Sequence, residues 1–222
     1  MTIVRTSGKI TPRTRDCQYK GHTEFGEFEL AADKENKGGS GGIMRDRLLK
    51  ESARLFIKHG YERTTMRNIA KATGIKLGSI TYYFQSKEDI LYTTMSAVIE
   101  AGEEKARAAL DLSDDAPSRL KALIEVELDS FLNDTGAIVM KEWRSLQKGR
   151  RSQLIKHQQA YENIWSDVLA ECHARGYIRS KPEIARRVLR GAFAWPESWN
   201  AGEGQTPIEG LAEEIMKLIM HD

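Results

Sequence analysis

The chain has 222 residues, 40% hydrophobic and 30% charged. It has no run near the ~18 apolar residues a membrane helix needs, and the opening MTIVRTSGKITPRTRDCQYK has no apolar secretory core, so a membrane protein and a secreted one are both unexpected. Two cysteines, Cys17 and Cys172, cannot staple a chain this long and nothing resembles a zinc ligand set, so the expectation is a reducing cytoplasm with no metal or cofactor. The formal charge of +2 hides an asymmetry: residues 1–42 hold 7 basic and 6 acidic side chains, residues 43–92 hold 10 and 5, and residues 93–222 hold 17 and 21, which points to one compact polyanion-binding module in a chain whose remainder does something else.

Residues 1–42 lack helical periodicity and end in KENKGGSGG, which reads as a flexible extension and linker. From Ile43 onward the texture is helical. Only six valines occur and no alternating strand pattern persists, so the expected class is all-α. Nine helices are predicted. The first spans 43–59 and stops at Gly60. The second spans 66–73, with Met66, Ile69, Ala70 and Thr73 on one face. The third covers 77–84. The fourth opens at Ser86, an N-cap with Asp89 three residues on, and runs to Leu110. The fifth covers 117–133, the sixth 136–148, and the seventh 151–175, which ends at Gly176. The eighth covers 182–200, with a stripe of Ile184, Val188, Ala192, Trp195 and Trp199, and Pro196 as a kink. The ninth covers 207–220. Pro117, Pro182 and Pro207 stand where a helix starts and the missing N–H is harmless.

The informative stretch is TTMRNIAKATGIKLGSITYYFQSKEDIL, beginning at Thr64. Thr65 can cap the helix 66–73, and its hydroxyl lies at a terminus suited to phosphate. Gly74 supplies the positive φ of a sharp helix-to-helix turn, and Ile75 plugs the corner. The next helix, Lys76–Phe84, is roughly 13 Å long and fits a major groove about 12 Å wide. Leu77, Ile80 and Phe84 can face inward. Lys76, Gly78, Ser79, Thr81, Tyr82 and Tyr83 are left for the outer surface. Lys87 follows at a helix start, where its charge and free N–H groups could hold a phosphate. The array inside the one basic segment reads as a helix-turn-helix.

The run TGIKLGSITYYFQSKEDIL, preceded by FIKHGYERTTMRNIAKA, closely resembles the DNA-binding region of TetR-type transcriptional regulators. The resemblance implies a three-helix DNA-binding domain over 43–92 and a helical effector-binding and dimerisation domain over 93–222. It also implies a homodimer joined through the last two helices and a ligand pocket among helices four to seven. The expected partners are a palindromic double-stranded DNA operator and a small-molecule effector that releases it, and no membrane. Carried across by match, Thr65, Tyr82, Tyr83 and Lys87 are phosphate-contacting positions, and Lys76, Leu77 and Ser79 face the groove. Many relatives place tyrosine where this chain has Thr81, whose methyl could instead meet a thymine methyl.

In the remainder, Glu142, Trp143 and Arg144 on one predicted helix and Tyr161 and Trp165 on the next could line an effector pocket; ordinary aromatic core is the alternative. Arg150, Arg151, Lys156 and His157 could receive the phosphates of an acyl-CoA-type ligand or form a solvated face. Trp195 and Trp199 could form a dimer seam or pack within the monomer. The order KEWRSL, ECHARGYIR, AFAWPESWN and TPIEGLAEEI is similar to TetR-type regulators of fatty-acid, aromatic-acid or steroid breakdown, several of which sense acyl-CoA thioesters. GGSGG lacks the continuation of a phosphate loop, Asn133-Asp134-Thr135 is a glycosylation match of no use in a cytoplasm, and no catalytic constellation suggests itself, so an enzyme is not expected. The expectation is a ligand-responsive repressor. A constitutive DNA-binding protein, and a helical carrier or enzyme on the same scaffold, are the rivals.

Overall fold

The computed structural model describes residues 40–132, 136–193 and 206–221. Among these residues there are nine α-helices, one 3-10 turn and no strand. Helix α1, Ser40–His59, begins inside the glycine-rich stretch, ahead of the expected start at 43. Helix α2, Met66–Thr73, is capped as the sequence suggests. The Thr65 hydroxyl oxygen accepts the Asn68 N–H, and the Asn68 side chain accepts the Thr65 N–H at 2.9 Å. Gly74, at φ 69°, turns the chain into α3, Leu77–Tyr83. A Cβ would be strained in that left-handed conformation. Helix α4, Lys87–Asp111, starts at Ser86, whose hydroxyl accepts the Asp89 N–H at 3.0 Å. Helix α5, Ala116–Leu132, has Pro117 in its first turn, and the Asp115 carboxylate accepts the Ser118 N–H at 2.7 Å.

The sixth predicted helix does not run through 136–148. Helix α6 is Ala137–Glu142, a 3-10 turn covers Trp143–Ser145, and the backbone is extended at Leu146. Helix α7 then starts at Lys148, before the expected 151, and runs to Ala174. The break has two long-range causes. The Glu142 carboxylate accepts the Tyr61 N–H, and Leu146 is buried in the core beneath α1–α4. Helix α8 is Pro182–Phe193, and helix α9 is Ile208–Ile219. The predicted continuation of α8 toward 200, with Trp195, Pro196 and Trp199, lies outside the described residues, as do Asn133, Asp134 and Thr135.

Two apolar clusters hold the helices together. The first joins Leu49, Phe56, Ile69, Ile80, Phe84 and Leu91 of α1–α4 with Ile138, Leu146 and Leu154 from α6, the following loop and α7. The second joins Leu120, Leu128, Trp165, Leu169, Leu189, Phe193 and Ile215 of α5, α7, α8 and α9. Helices α4 and α7 contribute to both clusters. A boundary at 92–93 therefore falls inside α4, a helix of 25 residues.

The expected apolar face of α8 is not the buried one. Ala185, Arg186, Leu189 and Phe193 are buried, while Ile184 and Val188 are 45% and 61% exposed. Arg186 takes a core position because two carboxylates meet it there, a pairing that hydrophobic periodicity cannot register.

Candidate DNA interface and ligand cavity

Helix α3 is seven residues long and keeps only Ile80 fully buried, with Phe84 sealing its end. Lys76, Ser79 and Thr81 are exposed, and Tyr82 is 86% exposed. Leu77, which spacing turned inward, is 41% exposed and so shares the surface with Lys76 and Ser79. A Cβ built on Gly78 would meet nothing within 4 Å, so the bare backbone there is open to an approaching partner. The Thr81 hydroxyl donates to the Gly78 carbonyl at 2.8 Å. The Tyr82 ring meets Tyr83 edge-on at 5.2 Å, and Tyr83 is half-buried against the first cluster, so the exposed phenol of Tyr82 is braced. Thr65 sits at the α2 terminus, exposed, its hydroxyl oxygen held by the cap.

Lys87 is already engaged in this structure. Its Nζ donates to the Tyr61 carbonyl at 2.8 Å and lies 3.9 Å from the centre of the Tyr61 ring. To hold a phosphate it would leave or share that bond. Sequence reasoning placed no residue of α1 among the DNA-contacting positions, yet Arg45 lies 5.5 Å from the Phe84 ring and an Arg47 Nη atom lies 4.0 Å from where a Gly74 Cβ would stand. The basic excess of 43–92 was the available signal, but it gave no positions.

A small cleft, about 60 Å³ and open to solvent, lies among α4, α5, α6, α7 and α8. Its apolar wall is built from Val98, Ile99, Phe131, Val139 and Met140, and its polar groups come from Glu127, Ser130, Gln158, Tyr161 and Arg190. The buried Tyr161 hydroxyl donates to Glu127. Burial, and then the Glu127 charge, push that phenol well above its ordinary pKa, so it stays a donor at any working pH. Behind them Arg186 donates to Glu162 at 3.0 and 3.1 Å and faces Glu127 at 3.6 Å. Its guanidinium lies 4.1 Å from the centre of the Trp165 ring. Burial pulls the Arg186 pKa down, but Glu127 and Glu162 more than offset this, so the group stays cationic. Arg190, 41% exposed, reaches Glu162 at 3.4 Å. The cluster therefore balances two carboxylates with two guanidiniums beneath an apolar cleft.

Of the five residues expected around a pocket, Tyr161 alone lies in the cleft wall. Trp165 is fully buried behind it, against Phe193. Glu142, Trp143 and Arg144 stand apart, because α6 ends at Glu142 and the chain turns away: Trp143 is 37% exposed, and Glu142 faces Tyr61 and Ser145. Sequence reasoning missed Glu127 and Arg190, which helical spacing presents as ordinary charged positions. In the basic stretch, Arg150 is committed to Asp89 at 2.8 Å and His157 to Glu100 at 3.0 Å, which fits a solvated face better than a phosphate site. Among the described residues no helix is long and apolar enough to cross a membrane.

The family model "Bacterial regulatory proteins, tetR family" matches residues 48–92, and "Tetracyclin repressor-like, C-terminal domain" matches residues 113–222. The transcriptional repressor KstR2 of Rhodococcus jostii is 26% identical over 195 residues, 86% of this chain and 94% of its own. Among solved structures, superantigen pfit is 38% identical with a TM-score of 0.71, covering 80% of this chain and 89% of its own. AibR, solved with isovaleryl coenzyme A and operator DNA, shares the fold at 20% identity and a TM-score of 0.71, covering 79% of this chain and 97% of its own. The first match contains the exposed α3 and the second contains most of the residues lining the cleft, and the chain belongs to the tetR family of bacterial regulatory proteins, transcription regulators and not enzymes.

Proposed function

We propose that this protein is a homodimeric, cytoplasmic repressor that binds a palindromic operator and is released from it by a small molecule. The observation that carries the reading is the surface of α3, where Lys76, Ser79 and Tyr82 stand exposed on a helix anchored by Ile80. Cation, hydroxyl and phenol together suit base edges and phosphates. Residues 43–92 form the DNA-binding part and residues 93–222 the effector-binding and dimerisation part. Thr65, Tyr83 and Lys87 supply backbone contacts, and Leu77 and Thr81 supply apolar contacts in the groove. The exposed Ile184 and Val188 of α8 and Leu218 of α9, the last at 85%, support a second copy covering these helices.

The cleft is the effector site in this reading. Its apolar wall suits an acyl chain or fused ring, and Gln158 and Arg190 suit a carbonyl or carboxylate beside it. Acyl-CoA thioesters are the first class to test, a choice supported by the ligand solved in AibR, which shares this fold. Selection of genomic fragments by the purified protein, followed by footprinting with and without a thioester panel, tests the reading. A protected near-palindrome that one thioester releases is the expected result, and binding that ignores sequence would contradict it.

A further inference from the structure

We propose that Glu142 is a positioning residue that carries the state of the cleft to the DNA-binding helices by gripping the Tyr61 peptide. This rests on the ligand-responsive reading and names its route. Helix α6 lines the cleft with Val139 and Met140 and ends at Glu142. There one carboxylate oxygen accepts the Tyr61 N–H at 3.0 Å, and the other accepts the Ser145 hydroxyl at 2.8 Å, which fixes its aim. Eighty-one positions separate Glu142 from Tyr61, so this is a tie between distant parts of the chain.

The same residue is held through its carbonyl as well. The Tyr61 carbonyl accepts Lys87 Nζ at 2.8 Å and the Thr64 N–H at 3.1 Å. Thr65, the α2 cap, follows directly. The Tyr61 ring packs 5.5 Å from Phe56, inside the first cluster. A shift of α6 therefore acts on the turn that launches α2 and on the partner of Lys87 at once. Two further contacts fasten the same segment to the first turn of α4: Gln147 N–H to Glu88 at 2.6 Å, and Arg150 to Asp89 at 2.8 Å. The competing route is α4 itself, which lines the cleft with Val98, Ile99 and Gly102 and begins at Lys87. Intermediacy alone does not choose between the two; a coupling measurement does.

The test is a double-mutant cycle on the full chain with a selected DNA site. Gly102→Leu is a built-in occupant, because a Cβ there would lie 3.9 Å from the Tyr161 ring and a leucine would extend into the cleft. It should weaken DNA binding about tenfold alone, and less than about twofold in combination with Glu142→Ala. Glu142→Gln keeps an oxygen that accepts the Tyr61 N–H and should restore most of the tenfold effect. Glu142→Ser, too short to reach, should behave as Glu142→Ala does and stands in for it if that variant misfolds. Hydrogen exchange at the Tyr61 amide should accelerate in the alanine and serine variants and not in the glutamine variant. Equal effects of Gly102→Leu with and without Glu142→Ala would leave the ligand-responsive reading standing and overturn the proposal, since the signal would then run along α4. No effect of Gly102→Leu, together with no release of DNA by isovaleryl coenzyme A, would instead sink the reading and the proposal with it.

Discussion

Arg186 is a charged side chain in a core position. Its side chain is 8% exposed, lies over Trp165 and answers both Glu127 and Glu162. Removing the cation leaves the buried Glu127 carboxylate without a cation and Glu162 with Arg190 alone, whereas removing Arg186 and Glu127 together leaves Glu162 paired with Arg190 and no charge unpaired. Arg186→Ala should therefore lower unfolding free energy by ~3–5 kcal/mol, and the double change Arg186→Met, Glu127→Gln should recover much of the loss in urea titrations. Cys172 gives a prediction in pH. Its thiol is fully buried with Sγ 3.4 Å from the Ala116 carbonyl, and burial, followed by the Glu171 charge, pushes its pKa to about 11 from 9.0. Below pH 9 the thiol is neutral folded or unfolded. Above it the unfolded chain ionises first, so the contribution to stability fades as pH rises from 9 toward 11. Cys172→Ala should flatten that part of the stability profile, and mass spectrometry should find Cys172 of the native protein unalkylated at pH 8.

At the scale of elements, α6 is short because of contacts at both of its ends. At its entry, the Gly136 N–H donates to the Ser130 carbonyl at 3.1 Å, and a Cβ on Gly136 would come within 2.7 Å of that carbonyl oxygen. Gly136→Ala must push the two segments apart. It should cost ~1–3 kcal/mol by denaturant unfolding and also reshape the cleft, since Ser130 and Gly136 both line it. Neither this approach nor the Glu142 tie is visible in sequence, because each depends on a partner brought close only by folding. The helix starts and stops that were legible rest on local chemistry: Thr65 and Ser86 bond an amide three residues on, and Gly74 relieves its own backbone. The same contrast explains α8. Spacing puts Ile184 and Val188 on one apolar stripe, yet the core side holds Arg186, whose burial needs Glu127 from α5 and Glu162 from α7. The exposed face of α3 was largely legible in sequence because it is one contiguous run. The cleft was not, because five helices each lend it one to three side chains.

The whole molecule joins an exposed helix α3, a cleft and an apolar outer face on α8 and α9. The exposed Ile184, Val188 and Leu218 should be covered by a second copy, so sedimentation should give about twice the 25.1 kDa chain mass, and Val188→Glu should shift the protein toward monomer. Dimerisation presents α3 twice, which is why the DNA site should be a near-palindrome. The most direct measurement of the central claim is titration of the selected site, and of every single-base variant of it, with wild-type protein and with Lys76→Ala, Ser79→Ala and Tyr82→Phe. All three positions are exposed, and none is needed by the core. Lys76→Ala and Ser79→Ala should lose discrimination at symmetric positions in both half-sites, by ~1–3 kcal/mol for each base contact removed. Tyr82→Phe should weaken all sequences alike. Wild-type affinity and wild-type base preference in all three folded variants would mean that α3 does not read DNA, and would contradict the account.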